Sequence, residues 1–154
     1  RDLRMSRGLG DVYKRQEESY EDGWLDTGDI LRIDEEGYYY FLSRAKDCIK
    51  TGGENVFASE LEAVIRRFPG VSECAVFGVP DEVYTEAVAA AIITDYPVSA
   101  EQIIAHCKSH LASFKKPRKI WFVDSMPRTG TGKVDKAALR ALLSGREPDF
   151  QIQT

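Results

Sequence analysis

The chain has 154 residues, of which 43% are hydrophobic and 30% are charged, and its formal net charge is −4. This length suits one compact domain with some flanking chain, and the composition argues against wholesale disorder. The longest apolar run, residues 87–93, is far shorter than the roughly 18 residues that a membrane-spanning helix needs, and no secretory signal pattern opens the chain. We therefore expect no membrane span and a cytoplasmic location.

The cysteines and histidines indicate no metal site. Cys48, Cys74 and Cys107 are an odd number at wide spacing without a C-x-x-C pair, so we expect buried, reduced thiols. His106 and His110 stand four residues apart, but Cys107 replaces the glutamate that a zinc protease needs. We predict that both histidines lie on a solvated helix face and that the chain contributes no metal ligands.

Charge is distributed unevenly along the chain. Residues 17–40 carry nine acidic side chains and one basic side chain, Arg32. Residues 108–140 reverse this ratio, with nine basic side chains against Asp124 and Asp135. The basic segment suits an anionic ligand such as a nucleotide or polyphosphate, although a solvated basic face explains the same pattern.

The first predicted elements are two β-hairpins. Residues 1–16 follow neither helical nor strand periodicity and differ in charge from the acidic run after them, so we interpret them as a non-native or disordered segment. Runs at residues 30–33 and 38–42 predict a hairpin. Residues 48–51 and 55–57 predict a second hairpin, which turns at Gly52 and Gly53.

Helices and strands alternate in the rest of the chain. Ser59 is predicted to cap a helix that Pro69-Gly70 ends, and residues 71–79 predict a strand that ends at Pro80. Residues 87–94 read as a central strand, Ser99 caps a second helix, and residues 120–123 return to strand. The last helix opens at Asp135 and runs through Leu143. The predicted fold class is α+β, a small sheet covered by helices.

Four phrases occur in order along the chain: GWLDTGD (23–29), SRAKDCIKTGGENVFASELE (43–62), GVPD (78–81) and FKKPRKIWFVDSMPRTGTGK (114–133). Together they resemble the adenylate-forming superfamily, in particular acyl-CoA synthetases, over residues 17–146. The resemblance implies that residues 17–45 are the end of a large nucleotide-binding domain that contributes a β-hairpin. It implies that residues 46–146 are the C-terminal mobile domain and that residues 147–154 are a tail.

The resemblance also implies a two-step reaction. A carboxylic acid and ATP give an acyl-adenylate and pyrophosphate, and the thiol of CoA then displaces AMP while the small domain rotates between the steps. The expected partners are a small carboxylic acid, ATP, CoA and the chain's own N-terminal domain, with no nucleic acid. ATP, CoA and Mg²⁺ are expected to bind mainly through that larger domain, so we expect this chain to be inactive alone.

The resemblance assigns nucleotide-binding roles to Asp29 and Arg44. Asp29 matches the aspartate that accepts hydrogen bonds from the ribose hydroxyls, and Arg44 matches an arginine that reaches the nucleotide. Lys46 falls at the hinge, where many relatives carry Asp. Outside this family the same residues are typical of a turn aspartate, a surface cation and a linker residue.

Lys133 is the predicted catalytic residue. It matches the lysine that enters the active site during adenylation and stabilises charge on the carboxylate and the α-phosphate, and Gly130 and Gly132 suggest a mobile loop. A Walker phosphate loop fails because it would need Gly at Pro127 and Ser or Thr at Val134. An exposed lysine in a flexible turn is the remaining alternative.

The resemblance places CoA near a second group of residues. Gly52 and Gly53 match a loop that lines the pantetheine tunnel, although a plain hairpin turn needs the same glycines. Tyr84 stands where relatives often carry Trp, and Thr85 stands where Gly is usual.

Phe114, Lys116 and Arg118 match positions that grip the nucleotide end of CoA in some ligases, with an aromatic face for adenine and cations for phosphate. A basic surface turn is the alternative for this segment.

The sequence favours a CoA ligase of the fatty or aromatic acid type. Two alternatives stay open: adenylation followed by transfer to a carrier-protein thiol, and a non-catalytic binding module that keeps the ligase-tail fold. The residues present here do not identify the acyl substrate.

Overall fold

A computed structural model describes residues 20–21, 24–25 and 27–152, with side chains from residue 27 onward. The predicted non-native or disordered segment at residues 1–16 lies outside the described residues. Ten strands and three helices occur among the described residues, together with 3-10 turns at Ala45–Asp47 and Ser113–Lys115. No helix in these ranges is long and apolar enough to cross a bilayer.

Two small antiparallel pairs come first. Strands β1 (Tyr20–Glu21) and β2 (Trp24–Leu25) pair with each other, as do β3 (Asp29–Ile33) and β4 (Tyr39–Arg44). The β3–β4 hairpin was predicted, and its turn forms because the Asp34 carboxylate accepts hydrogen bonds from the Glu36 and Tyr38 amides.

A six-stranded mixed sheet forms the body of the domain. Its strands are β5 (Cys48–Thr51), β6 (Glu54–Phe57), β7 (Val71–Asp81), β8 (Thr85–Thr94), β9 (Lys119–Phe122) and β10 (Phe150–Gln151). The β7–β8 hairpin is its longest antiparallel pair, β9 runs parallel to β8, and β5 joins β8 through the pairing of Thr51 with Thr85.

Helices cover both faces of this sheet, as the α+β prediction required. They are α1 (Ala58–Ile65), α2 (Ala100–His110) and α3 (Lys136–Leu143). Alternate residues of β7 and β8 enter opposite cores: Val88, Ala90 and Ile92 pack in the core that holds residues of α1 and α2, and Ala89 and Ala91 pack in the core with residues of α3. A strand buried on both faces has no polar alternation, which explains the continuous apolar run.

Three predicted element ends were wrong. Helix α1 ends at Ile65 rather than at Pro69-Gly70, because the chain then tightens into turns in which the Arg67 and Phe68 amides donate to the Val64 and Ile65 carbonyls. Ser59 does not cap α1, because the helix begins one residue earlier and the Ser59 hydroxyl instead donates to the Leu42 carbonyl of β4. Pro80 does not end β7, which continues to Asp81. Among the described strands β7 pairs with β8 alone, and a proline is tolerated on such an edge strand.

The other predicted caps and thiols are mostly confirmed. Ser99 and Gln102 form a reciprocal capping box at α2, and Asp135 caps α3. The cysteines are free, but Cys48 is only half-buried. His106 is also half-buried, because it contacts the Val64 carbonyl at 3.0 Å rather than standing fully in solvent.

Candidate functional site

A cleft of about 110 Å³ lies where the β5–β6 turn meets the β7–β8 turn and the segment before β9. Five of the six residues predicted to contact CoA line it. Gly53 is in the same turn but is not a lining residue. The lining residues are Thr51, Gly52, Glu54, Tyr84, Ser113, Phe114, Lys116 and Arg118.

The β7–β8 turn places Tyr84 in the cleft. One Asp81 carboxylate oxygen accepts hydrogen bonds from the backbone amides of Val83 and Tyr84, both at 3.0 Å. The bond from Tyr84 is the main cause that holds the pKa of Asp81 below its ordinary value. Thr85 completes the turn with a φ of 68°, a left-handed conformation that β-branched residues rarely adopt. Thr85, which stands where glycine is usual in the family that the sequence resembles, therefore occupies a position where glycine would be unstrained.

Gly52 meets Tyr84 at close range. The Gly52 amide donates to the Tyr84 carbonyl at 2.9 Å, and a Cβ on Gly52 would lie 3.1 Å from the Tyr84 ring. Both Gly52 and Gly53 have positive φ, of 57° and 83°, but a Cβ on Gly53 would meet no atom within 4 Å. The hairpin turn needs both glycines, whereas the close approach to Tyr84 needs only Gly52.

The cleft is cationic and aromatic. The Arg118 guanidinium carbon lies 4.2 Å from the centre of the Tyr84 ring, and Phe114 is 42% exposed beside it. Lys116 donates to the carbonyl and hydroxyl of Ser113. Burial, followed by repulsion from Lys108 and Arg118, lowers the pKa of Lys116. A bound anion would relieve this repulsion.

Several other cations of the basic segment already have partners. Lys115 pairs with Glu60, Arg128 with Glu73 and Lys136 with Glu62, and Arg140 donates to the Gly78 carbonyl. Within the described ranges, Lys116, Arg118 and Lys133 form no ion pair with a carboxylate. These three predicted site residues are therefore available to an anionic ligand.

Lys133 is exposed and lies in a closed turn formed by residues 127–135. We call this segment the Lys133 turn. The Thr129 amide donates to the Lys133 carbonyl at 2.8 Å, and the Gly132 amide donates to the Thr129 carbonyl at 2.9 Å. Gly132 has a φ of 81°, as the left-handed position of such a turn requires. Gly132 therefore takes part in a hydrogen-bonded turn, whereas a loose loop was expected.

The cleft and the Lys133 turn lie at opposite ends of β8. Tyr84 precedes the first residue of β8, whereas Arg128 of the Lys133 turn binds Glu73, which pairs with Ile93 near the end of the strand. Ile93 lies eight positions after Thr85, which corresponds to ~26 Å along β8. One small substrate cannot contact both places at once.

Asp29 and Arg44 form a third group, away from the cleft lining. They face each other in the β3–β4 register, and the Arg44 Nε lies 2.6 Å from an Asp29 carboxylate oxygen. Arg44 also donates to the Thr27 carbonyl at 3.0 Å. Two of the three residues predicted to bind nucleotide are thus brought together, whereas the third, Lys133, is not part of this pair.

Lys46 is exposed in the 3-10 turn that joins β4 to β5. A connection of three residues between the β3–β4 hairpin and the six-stranded sheet is a suitable place for a change of backbone torsion.

Sequence reasoning missed several residues of these sites. Thr51, Glu54 and Ser113 line the cleft, and their polar type alone gave no signal. Glu73 and Arg128 meet across 55 residues of chain, so no local pattern could pair them.

Among residues 27–152, no three His, Cys, Asp or Glu side chains are grouped so that they could hold an ion. The expected Mg²⁺ therefore finds no group of three such ligands among the described residues.

Comparison with known proteins gives concordant matches. Residues 60–133 match the family model for the AMP-binding enzyme C-terminal domain. The long-chain-fatty-acid–CoA ligase FadD13 of Mycobacterium tuberculosis is 46% identical over 132 residues, covering 85% of this chain and 26% of that protein. The 2-succinylbenzoate–CoA ligase of Bacillus pumilus is 39% identical, covering 84% of this chain and 27% of that protein.

A solved structure agrees with these relatives. The o-succinylbenzoate CoA synthetase MenE from Bacillus subtilis, in complex with its acyl-adenylate intermediate, superimposes with a TM-score of 0.79. It is 35% identical in sequence and matches 87% of this chain and 27% of that one. The chain thus spans about a quarter of the length of the proteins it matches.

Proposed function

We propose that this chain is the C-terminal part of an ATP-dependent carboxylate–CoA ligase. It belongs to the adenylate-forming enzymes of the acyl-CoA ligase type and carries their C-terminal domain. In the first step the carboxylate attacks the α-phosphate of ATP, and pyrophosphate leaves. In the second step the thiol of CoA attacks the acyl carbonyl, and AMP leaves. The relatives' names favour an aliphatic or aromatic acid as the substrate.

The observation that carries this proposal is the cleft formed by Gly52, Tyr84, Phe114, Lys116 and Arg118. These residues come from three separate segments, yet together they provide an aromatic surface and two cations without carboxylate partners. An adenine ring stacks on exposed aromatic faces, and phosphates pair with Lys and Arg. We propose that the cleft binds the nucleotide end of CoA and that the Gly52-Gly53 turn lines the path of the pantetheine arm.

Lys133 is the proposed catalytic residue of the first step. Its exposed ammonium lies in a turn that does not neutralise it, so it is available to stabilise negative charge on the carboxylate and the α-phosphate oxygens. Asp29 and Arg44 are proposed to hold the ribose and phosphate oxygens of the same nucleotide. In the free chain they pair with each other at 2.6 Å, so binding would exchange this ion pair for contacts with ATP.

The separation of the two sites supports a reorientation between the steps. Because the Lys133 turn and the cleft lie ~26 Å apart along β8, each can face a shared reaction centre only in a different orientation of the domain. Lys46 is the proposed hinge. Its 3-10 turn links the β3–β4 hairpin, which carries Asp29 and Arg44, to the sheet that carries the other two sites.

The test is a comparison of the two half-reactions in the full-length enzyme that contains this chain. Replacing Lys133→Ala should lower carboxylate-dependent ATP–pyrophosphate exchange by about 100-fold or more, as expected for the loss of a charge-stabilising group. Thioester formation from supplied acyl-adenylate and CoA should stay within about twofold, since the cation then has no role. Unchanged exchange in this variant would overturn the proposal.

Three further measurements test the alternatives and the expected inactivity of the chain alone. Transfer to a carrier-protein thiol but not to free CoA would favour a carrier-dependent enzyme. Robust carboxylate-dependent exchange by this chain alone would refute the expectation that it is inactive by itself. If a full-length protein carrying intact Asp29, Arg44 and Lys133 formed no adenylate with any of a panel of carboxylic acids, the non-catalytic module would be favoured.

A further inference from the structure

The Lys133 turn has two fixed ends. Its last residue, Asp135, donates its amide to the Pro127 carbonyl at 2.8 Å and caps α3 with its side chain. At its first end, Arg128 pairs with Val134 through an isolated bridge. The turn is therefore closed at its base, and its last residue is bonded to the start of α3.

Arg128 makes a second, longer-range connection. One guanidinium nitrogen donates to the Gly132 carbonyl at 2.9 Å, directly beside Lys133. Another donates to both Glu73 carboxylate oxygens, at 2.8 and 2.7 Å. The same side chain thus holds the tip of the turn and the edge strand β7.

Glu73 has a defined position of its own. It pairs with Ile93 of β8, and its side chain is only 25% exposed. A carboxylate fixed to a sheet can orient a guanidinium, since charge-assisted hydrogen bonds are short and directional. An isolated surface ion pair contributes little to stability, so the effect is expected on the geometry of the turn more than on folding.

We propose that Glu73 is a positioning residue for Lys133, acting through Arg128 to hold the turn in one orientation relative to the sheet. This inference rests on the proposed function, because it concerns the delivery of the catalytic lysine. It implies that Lys133 reaches the reaction centre by movement of the whole domain, with the turn travelling as a rigid part of it.

The first test uses this chain without any reaction. In Glu73→Gln, hydrogen exchange at the Thr129 and Gly132 amides should accelerate about fivefold, since both bonds lie within the turn that Arg128 closes. Glu60→Gln is the matched control, because Lys115 binds Glu60 through one nitrogen at the same 2.8 and 2.7 Å distances. This control should leave exchange in the turn unchanged.

Arg128→Lys provides a second variant in case Glu73→Gln fails to fold. It keeps the positive charge, but a single ammonium cannot reach both Glu73 and the Gly132 carbonyl in the way a planar guanidinium does. We expect the same faster exchange in the turn. Unaltered exchange in a folded variant of either kind would overturn the inference.

The second test uses the full-length enzyme. Glu73→Gln and Arg128→Lys should each lower kcat for adenylation about tenfold with little change in the KM for ATP. Thioester formation from supplied adenylate should be unaffected in both variants. A merely structural role would slow both half-reactions together, and that result would refute positioning.

The outcomes distinguish this inference from the proposal on which it rests. Suppose that Lys133→Ala abolishes adenylation, while Glu73→Gln loosens the turn but does not slow adenylation. The positioning role of Glu73 is then wrong, and the proposed function stands. If Lys133→Ala leaves adenylation intact, the proposed function itself is wrong and the positioning role falls with it.

Discussion

The backbone amide of Gly52 donates to the carbonyl of Tyr84 at 2.9 Å, and the Tyr84 ring lies 3.1 Å from the point where a Gly52 Cβ would stand. This contact joins two turns that are 32 residues apart and forms one wall of the cleft. It explains why a side chain at Gly52 would be felt in the cleft, whereas one at Gly53 would not.

The two glycines provide a matched pair of substitutions. Gly52→Ala and Gly53→Ala should each lower the free energy of unfolding by about 1 kcal/mol, because alanine is strained at positive φ. Only Gly52→Ala should also weaken binding of adenosine 3′,5′-bisphosphate, the nucleotide end of CoA, because its methyl group displaces Tyr84. Urea unfolding and chemical-shift titration measure the two effects. Equal affinity in both variants would contradict the proposed cleft.

Thr85 offers a stabilising substitution. Thr85→Gly should raise the free energy of unfolding by about 0.5–1 kcal/mol, since relief of the left-handed strain exceeds the added entropy of the unfolded chain. Thr94→Gly, at the other end of β8, is the control and should lower it by about 0.5–1 kcal/mol, because glycine weakens an ordinary strand position. Thermal unfolding of both variants shows whether each substitution raises or lowers the free energy of unfolding. A destabilised Thr85→Gly would show that the Thr85 side chain has a stabilising role.

Anion binding in the cleft should depend on pH. The pKa of Lys116 is lowered by burial and by its neighbours Lys108 and Arg118, so this lysine loses its proton at a lower pH than an ordinary lysine. A bound phosphate favours the protonated form, and affinity for adenosine 3′,5′-bisphosphate should therefore fall as pH rises through that pKa. Arg118 supplies the residual affinity, because its guanidinium also pairs with phosphate.

Titration at increasing pH from 7.5 upward measures this effect. Lys116→Met should bind more weakly at pH 7.5 and should lose most of the pH dependence. A pH dependence that is equally strong in Lys116→Met would assign it to another group, and the prediction would fail.

The thiols should react in two classes. Burial raises the pKa of Cys74 to about 12 and that of Cys107 to about 11, and the pKa of the half-buried Cys48 is also raised. At pH 8 a thiol reagent should therefore modify Cys48 first and the other two at least ~100-fold more slowly, because the thiolate is the reactive form. Cys48→Ser should remove the fast phase, and urea should make the remaining thiols equally reactive. One fast phase for all three native thiols would contradict this.

The same shifts predict an effect on stability. A thiol whose pKa is higher in the folded state contributes stability to the fold below its ordinary pKa of 9.0. This contribution decreases at higher pH, because the thiol of the unfolded chain loses its proton first. The stability from Cys74 and Cys107 should therefore be fully present below pH 9 and be lost as pH rises toward 11–12. Urea unfolding between pH 8 and pH 10.5 measures the decline, which should be smaller in Cys107→Ala.

Most elements could be predicted because their signals are local. A continuous apolar run identified β8, Ser99 identified the start of α2, and Asp135 identified the start of α3. Ser59 misled because its hydroxyl is used by a tertiary contact to Leu42. Pro80 misled because its effect on a strand depends on whether that strand has a neighbour on both sides, and sequence alone does not say so.

By itself the sequence determined the three helices and the strands longer than two residues, the turn at Gly52 and Gly53, and the set of residues with nucleotide-type chemistry. Those features follow from backbone preferences and from side-chain type, which act over a few residues. Only the tertiary structure decided that Tyr84 and Gly52 meet, that Glu73 holds Arg128, and that the cleft and the Lys133 turn lie at opposite ends of β8. Strand register brings together side chains from distant parts of the chain, and register is set by the packing of the whole sheet against its helices.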